Sequence, residues 1–165
     1  MSPASWWGRK ARQLRVHVTA RVRPEERTTL DAWLTAPELA LFDAMHVADR
    51  RHGLDVVAHL RRSGVTDRDA LAAGLLHDCA KGDTGAGPRV AWSLGEALGP
   101  WVWSAAAMVP GWRAALDRLR VHAEASAALA AEAGLPSWAV DLVRYQEAPR
   151  DARYGALLKA ADEAS

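Results

Sequence analysis

Apolar residues recur three and four apart along most of this chain, and helices are the elements that spacing predicts. The stretch from Leu14 to Val22 is two-sided. Leu14, Val16, Val18 and Val22 suit strand alternation, Leu14, Val18 and Val22 alone suit a helix face, and the helical surroundings favour helix. Pro24 followed by Glu25 and Glu26 marks a helix start, because proline fits the first turn and acidic side chains complement the positive end of the helix dipole. That helix is expected to reach Leu34. Thr35 and Pro37 open another, carrying Leu39, Leu41 and Phe42 toward a core, with a break near residues 45–49. Asp49 is expected to cap the next helix, whose apolar positions are Leu54, Val57, Ala58 and Leu60, and Gly64 sits where a left-handed terminating residue is wanted.

Thr66 with Asp69 resembles a capping box, and the Ala- and Leu-rich run over residues 67–80 is the strongest helix of the chain. Residues 82–88 have the glycine and proline content of a loop. Further helices are expected over 89–98, 101–108, 112–133 with a bend, 137–147 and 151–163, separated by Gly99-Pro100, Pro110-Gly111, Gly134 and Pro149. The spacing thus predicts an all-α fold, a single compact multi-helix bundle spanning residues 1–165, with residues 1–13 loosely ordered as chain ends are unless tied down.

Composition narrows the setting. Half of the 165 residues are hydrophobic and a quarter charged, which is globular composition. The 21 basic and 20 acidic residues nearly cancel and are interspersed, so there is no basic footprint of the kind nucleic-acid binding requires. One cysteine, Cys79, excludes an internal disulfide framework, and no charged start leads into an apolar stretch as in a signal peptide, so the expected location is cytoplasmic. The weakly polar stretch 97–112 is too short and too interrupted to span a bilayer. Eight scattered tryptophans read as core anchors or partner-facing surface rather than as a ligand box.

The candidate chemistry centres on His77-Asp78, in Gly74-Leu75-Leu76-His77-Asp78 at the end of the strongest predicted helix. The dipeptide alone is a weak signal. His52 lies 25 residues earlier, in Asp49-Arg50-Arg51-His52-Gly53-Leu54, and Asp162 lies 84 residues after Asp78, in Leu158-Lys159-Ala160-Ala161-Asp162-Glu163, all on predicted helices. With these residues the chain resembles the HD superfamily of metal-dependent phosphohydrolases, whose signature is a histidine, a His-Asp pair closing an apolar helix, and a distant aspartate on a late helix. The resemblance runs from about Leu39 to Asp162.

That resemblance implies an HD-domain-like fold with His52, His77, Asp78 and Asp162 holding one divalent metal ion. Two imidazoles and two carboxylates suit manganese, ferrous iron, cobalt or zinc better than magnesium, which prefers oxygen. It implies a phosphohydrolase that cleaves a small phosphorylated substrate, a nucleotide among the candidates, with metal-activated water. Lys81, three residues after Asp78, would contact a phosphate or simply place charge at a helix end. Asp83 would act as leaving-group acid or as a supporting partner, and Arg89 would clamp phosphate with both arms of its fork. His122, in His122-Ala123-Glu124-Ala125-Ser126-Ala127, resembles a segment that supplies a further histidine ligand in two-metal relatives. Where those relatives carry another histidine, this chain reads Leu142-Val143-Arg144-Tyr145-Gln146-Glu147, so His122 is left to hydrogen-bond a substrate phosphate or to pack. The same departure, with the surplus of tryptophan, motivates an alternative: a catalytically degenerate module of this fold that senses a metal or nucleotide.

Overall fold

Residues 20–165 are described by the computed structural model of the protein. The expectation for residues 1–13, and most of the helix expected from Leu14 to Val22, lie outside them. Its described end is not helical: residues 20–23 are irregular, and Arg23 is extended (φ −76°, ψ 146°), as the residue before a proline must be. Among the described residues all regular structure is helical. In chain order the helices are α1 (Pro24–Leu30), α2 (Ala36–Ala44), α3 (Val47–Arg62), α4 (Arg68–Leu76), α5 (Ala86–Leu98), α6 (Trp101–Ala106), α7 (Trp112–Glu132), α8 (Ser137–Arg144) and α9 (Gly155–Ala164).

Several ends differ from expectation, each for a local reason. Helix α1 stops at Leu30, whose carbonyl accepts from both Trp33 and Leu34 in a closing turn. Helix α2 starts where Thr35 predicts, with the Thr35 N–H donating to Glu38 Oε2 at 2.8 Å. The cap of α3 is His46, whose Nδ1 accepts from the Ala48 N–H at 3.2 Å; Asp49 lies inside the first turn, buried, with its carboxylate committed elsewhere. Asp67, not Thr66, caps α4 by accepting from the N–H groups of Asp69 and Ala70. That helix ends at Leu76, so the His-Asp pair follows its last turn rather than lying within a helix running to Ala80. Helix α5 begins at Ala86, three residues early, because Pro88 is accommodated in a first turn that needs no N–H from it. Helices α6 and α8 stop at Ala106 and Arg144, short of expectation, while α7 is continuous. Helix α9 begins late because Asp151 Oδ1 accepts from the N–H groups of Arg153 and Tyr154, holding residues 151–154 in a side-chain-closed turn.

Helix α4 is the centre of the packing. Every residue from Ala70 to Leu76 is buried, and the helix is flanked by α2, α3, α7 and α8. A helix apolar on all sides belongs inside, and it brings its end residues into the interior with it. Close approach of α3 to α4 depends on Gly53, where a Cβ would lie 2.4 Å from the Leu75 carbonyl oxygen. Helix α9 packs on α3 from the other side, and α8 packs on α7 and α4. A second, smaller apolar cluster, Ala91, Ala106 and Leu116 with Trp92 and Trp112 against it, joins α5 and α6 to α7. Trp92 and Trp103 stack there with centroids 4.8 Å apart, and Trp103 Nε1 donates to the Trp92 carbonyl. Trp101 stays exposed. No helix among the described residues is long and apolar enough to cross a membrane.

Candidate metal centre

The four residues named from the His, His-Asp and Asp pattern meet at the end of α4. His52 reaches them from the middle of α3, His77 and Asp78 follow α4, and Asp162 comes from the last turns of α9. His52 Nε2 lies 2.8 Å from Asp162 Oδ1 and 3.9 Å from Asp78 Oδ2. His77 Nε2 lies 3.4 Å from each of those oxygens. Donor atoms of His52, His77 and Asp162 all fall within 4.8 Å of one another, a spacing able to hold a metal ion. Asp78 stands beside that trio, and the Lys81 ammonium already bonds its Oδ2.

The local chain explains why the nitrogens face inward. His77 Nδ1 donates to the Gly74 carbonyl at 2.9 Å, which leaves Nε2 as the nitrogen that faces the carboxylates, ready to carry a proton or to ligate a cation, and this atom is buried without a close hydrogen-bond partner. An unpartnered nitrogen in a buried position is costly unless a proton or cation lies between it and the carboxylates. Burial opposes charge on His77, yet Asp78 and Asp162 outweigh it and push its pKa up to about 9. Burial likewise opposes charge on Asp78, but His77, Lys81, His52 and His122 hold its carboxyl far below the usual range. Asp162 is held low against burial by His52, its hydrogen-bond partner, and by His77. The negative end of α4 adds to this demand for positive charge. Two imidazoles and two carboxylates fit a borderline divalent cation, and the unpartnered His77 Nε2 is the atom that most needs one.

His122, on α7, faces Asp78 from the opposite side, its Nε2 3.5 Å from Asp78 Oδ1. Its Nδ1 donates to the Leu119 carbonyl at 2.6 Å, so Nε2 is an acceptor, and the buried Gln146 amide donates to it at 3.2 Å and to the His77 carbonyl at 3.5 Å. Gln146 therefore fastens His122 to the His77 turn. Ser126 on α7 fixes the same turn from below, its Oγ accepting from the Ala80 N–H at 3.0 Å.

The remaining candidates lie differently. Lys81 is drawn inward, its side chain 23 % exposed and paired with Asp78. Arg89 does not present its fork to a substrate site. Both arms are engaged by Asp49, at 2.5 and 2.7 Å, while Nε donates to Thr84 Oγ1 and Nη2 to the Gly82 carbonyl. The buried Asp49 carboxylate thus draws Arg89 into tying the loop over residues 77–85 to α3. Asp83 is exposed on that loop, with its backbone carbonyl 3.5 Å from Arg118 Nη2. Arg118 carries no local sequence signal for its position; one turn of α7 separates it from His122, a proximity visible only once α7 is seen to cross the loop. No family model, curated protein or solved structure matches this chain, so its geometry stands without a relative to lend it an activity.

Proposed function

We propose that this protein is a metal-dependent phosphohydrolase of the HD type acting on a small phosphate ester, with nucleotides among the candidate substrates. One observation carries the reading: three side-chain donors from α3, the end of α4 and α9 converge within 4.8 Å, and one of them, His77 Nε2, is buried without a partner. Convergence of residues 110 apart in the chain is not produced by local preference.

His52, His77, Asp162 and Asp78 would hold a divalent ion. Bound there, such an ion lowers the pKa of a water and polarises a phosphoryl oxygen. The chain's own residues orient and neutralise. His77 and His122 each turn Nε2 toward the centre, because their Nδ1 atoms donate to the Gly74 and Leu119 carbonyls. His122 Nε2 lies beside Asp78 and is held there by the Gln146 amide. Arg118, on the same face of α7 and over the loop, keeps its guanidinium on a single long contact and is available to an anion. Such positioning and charge complementarity supply most of the catalysis in phosphoryl transfer.

Manganese, ferrous iron, cobalt or zinc added to metal-stripped protein is expected to bind near one equivalent by calorimetry and to support hydrolysis within a panel of phosphate monoesters, diesters and nucleotides. His77→Ala is expected to abolish both. Hydrolysis that survives His77→Ala at the wild-type rate refutes the assignment. A second reading, a non-catalytic metal or nucleotide sensor on the same fold, is favoured by the engagement of Lys81 with Asp78 and of Arg89 with Asp49, which leaves two expected phosphate-facing cations already paired. Metal-dependent nucleotide binding without product over long incubation is its signature.

A further inference from the structure

The pairing of Lys81 bears on how tightly any ion is held, an inference that rests on the metal-centre reading above. The ammonium bonds Asp78 Oδ2, the oxygen that also lies 3.4 Å from His77 Nε2 and 3.9 Å from His52 Nε2. It therefore engages the one carboxylate oxygen of Asp78 that points at the donor trio. Asp78 is buried and Lys81 largely so, which makes the pair electrostatically strong and an unpaired Asp78 costly. The attachment is built into the backbone: the Lys81 N–H donates to the Asp78 carbonyl at 3.1 Å, so the turn holds the two side chains on one side. No other lysine or arginine takes this place, since Arg89 is engaged by Asp49 and Arg118 reaches only the Asp83 carbonyl, and His77 divides its charge between Asp78 and Asp162.

Two like charges cannot both occupy this corner without cost. A divalent ion bound by His52, His77 and Asp162 meets the ammonium at close range, and must share Asp78 Oδ2 with it or displace it. We propose that Lys81 is a resident counter-ion that competes with the metal for Asp78, stabilising the site in the ion's absence and loosening its hold on the ion.

Calorimetry with Mn²⁺ and Zn²⁺ on metal-stripped full-length protein tests this in wild type, Lys81→Met and Lys81→Arg, with circular dichroism to verify folding. Lys81→Met is expected to bind metal about tenfold tighter or more, a gain of about 1.4 kcal/mol or more, while the stripped variant melts below stripped wild type. Lys81→Arg, which keeps the charge, is expected to stay within about threefold of wild type. Lys81→Gln replaces Lys81→Met should the latter fail to fold. Metal affinity in the neutral variant equal to or below that of wild type overturns the proposal while leaving the metal centre intact. Uptake by the neutral variant alone supports the competition in its strongest form, and uptake by neither overturns this proposal and the metal-centre reading together.

Discussion

Gly53→Ala is the sharpest probe of how the fold builds the site. Gly53 follows His52 on α3, and its backbone lies against Leu75, two residues before His77. A methyl group there would stand 2.4 Å from the Leu75 carbonyl oxygen, 3.2 Å from its carbon and 3.4 Å from its Cα. Ordinary contact between such atoms requires roughly 1 Å more room than the oxygen leaves. The obstacle is main chain within a buried helix and cannot rotate aside, so α3 and α4 must part. Overpacking of this kind costs about 3 kcal/mol, the upper end of its usual range, because no flexible side chain absorbs it. Replacing glycine by alanine within a helix returns about 1 kcal/mol of helix propensity. The net loss of about 2 kcal/mol corresponds to a fall in Tm of about 4 to 8 °C for a chain of this size. Parting the helices also separates His52 from His77, so metal affinity is expected to fall with stability. Thermal melts and urea titrations of stripped protein, followed by calorimetry with Mn²⁺, read both quantities. Gly64→Ala is the control: its φ of +85° makes alanine unfavourable by about 1 kcal/mol, but a Cβ there meets nothing within 4 Å and metal affinity should not change. A Gly53→Ala protein that melts at or above the wild-type temperature refutes the reasoning, since propensity would then outweigh packing.

Two further outcomes follow from groups around the same centre. Arg89→Met leaves the Asp49 carboxylate buried without its bidentate partner, and is expected to destabilise by about 3 kcal/mol; Asp49→Asn in the same chain should recover part of that loss, and a denaturation midpoint unchanged by Arg89→Met would sink the idea that the pair secures the loop. In stripped protein, His77 holds its proton up to about pH 9 against an ordinary 6.5, so its contribution is complete below pH 6.5 and is lost as pH rises through 9. Asp78 and Asp162, with lowered pKa values, contribute above about pH 4 and progressively less below it. Stability in a chelator, read by melting temperature, should therefore be highest between about pH 4 and 6.5 and decline toward 9, with a loss in unfolding free energy on the order of 1 to 3 kcal/mol; a Tm that rises over that alkaline range contradicts the assigned charges.

What could be read without coordinates divides along physical lines. Helix existence is legible because it rests on spacing within a dozen residues, and the start that Thr35 and Pro37 mark is where α2 begins. The ends are less so. Asp49 has the residue type of a cap, but a guanidinium 40 residues away competes for its carboxylate, and His46 takes the cap instead. His52, His77, Asp78 and Asp162 could be nominated because the ordered pattern of residue types resembles a known signature, and the fold does gather them. The chemistry of Arg89 suits a phosphate, as a fork-shaped cation should, but is silent about which carboxylate reaches it first. Ser126 and Arg118 could not be nominated at all, since each owes its place to how α7 crosses the loop after α4, while Gln146 stands in a segment the resemblance singles out but has a role there that no local pattern encodes.

The bonds from His77 Nδ1 to Gly74 and from His122 Nδ1 to Leu119 share one form: an imidazole bound to the peptide oxygen three positions before it. Which nitrogen of each ring faces the centre is thus dictated by peptide groups, and peptide groups are the one part of a polypeptide that amino-acid replacement leaves chemically intact. Drift among surrounding side chains can change what lies around the centre, yet the two rings keep presenting the same atom for as long as those backbone turns survive.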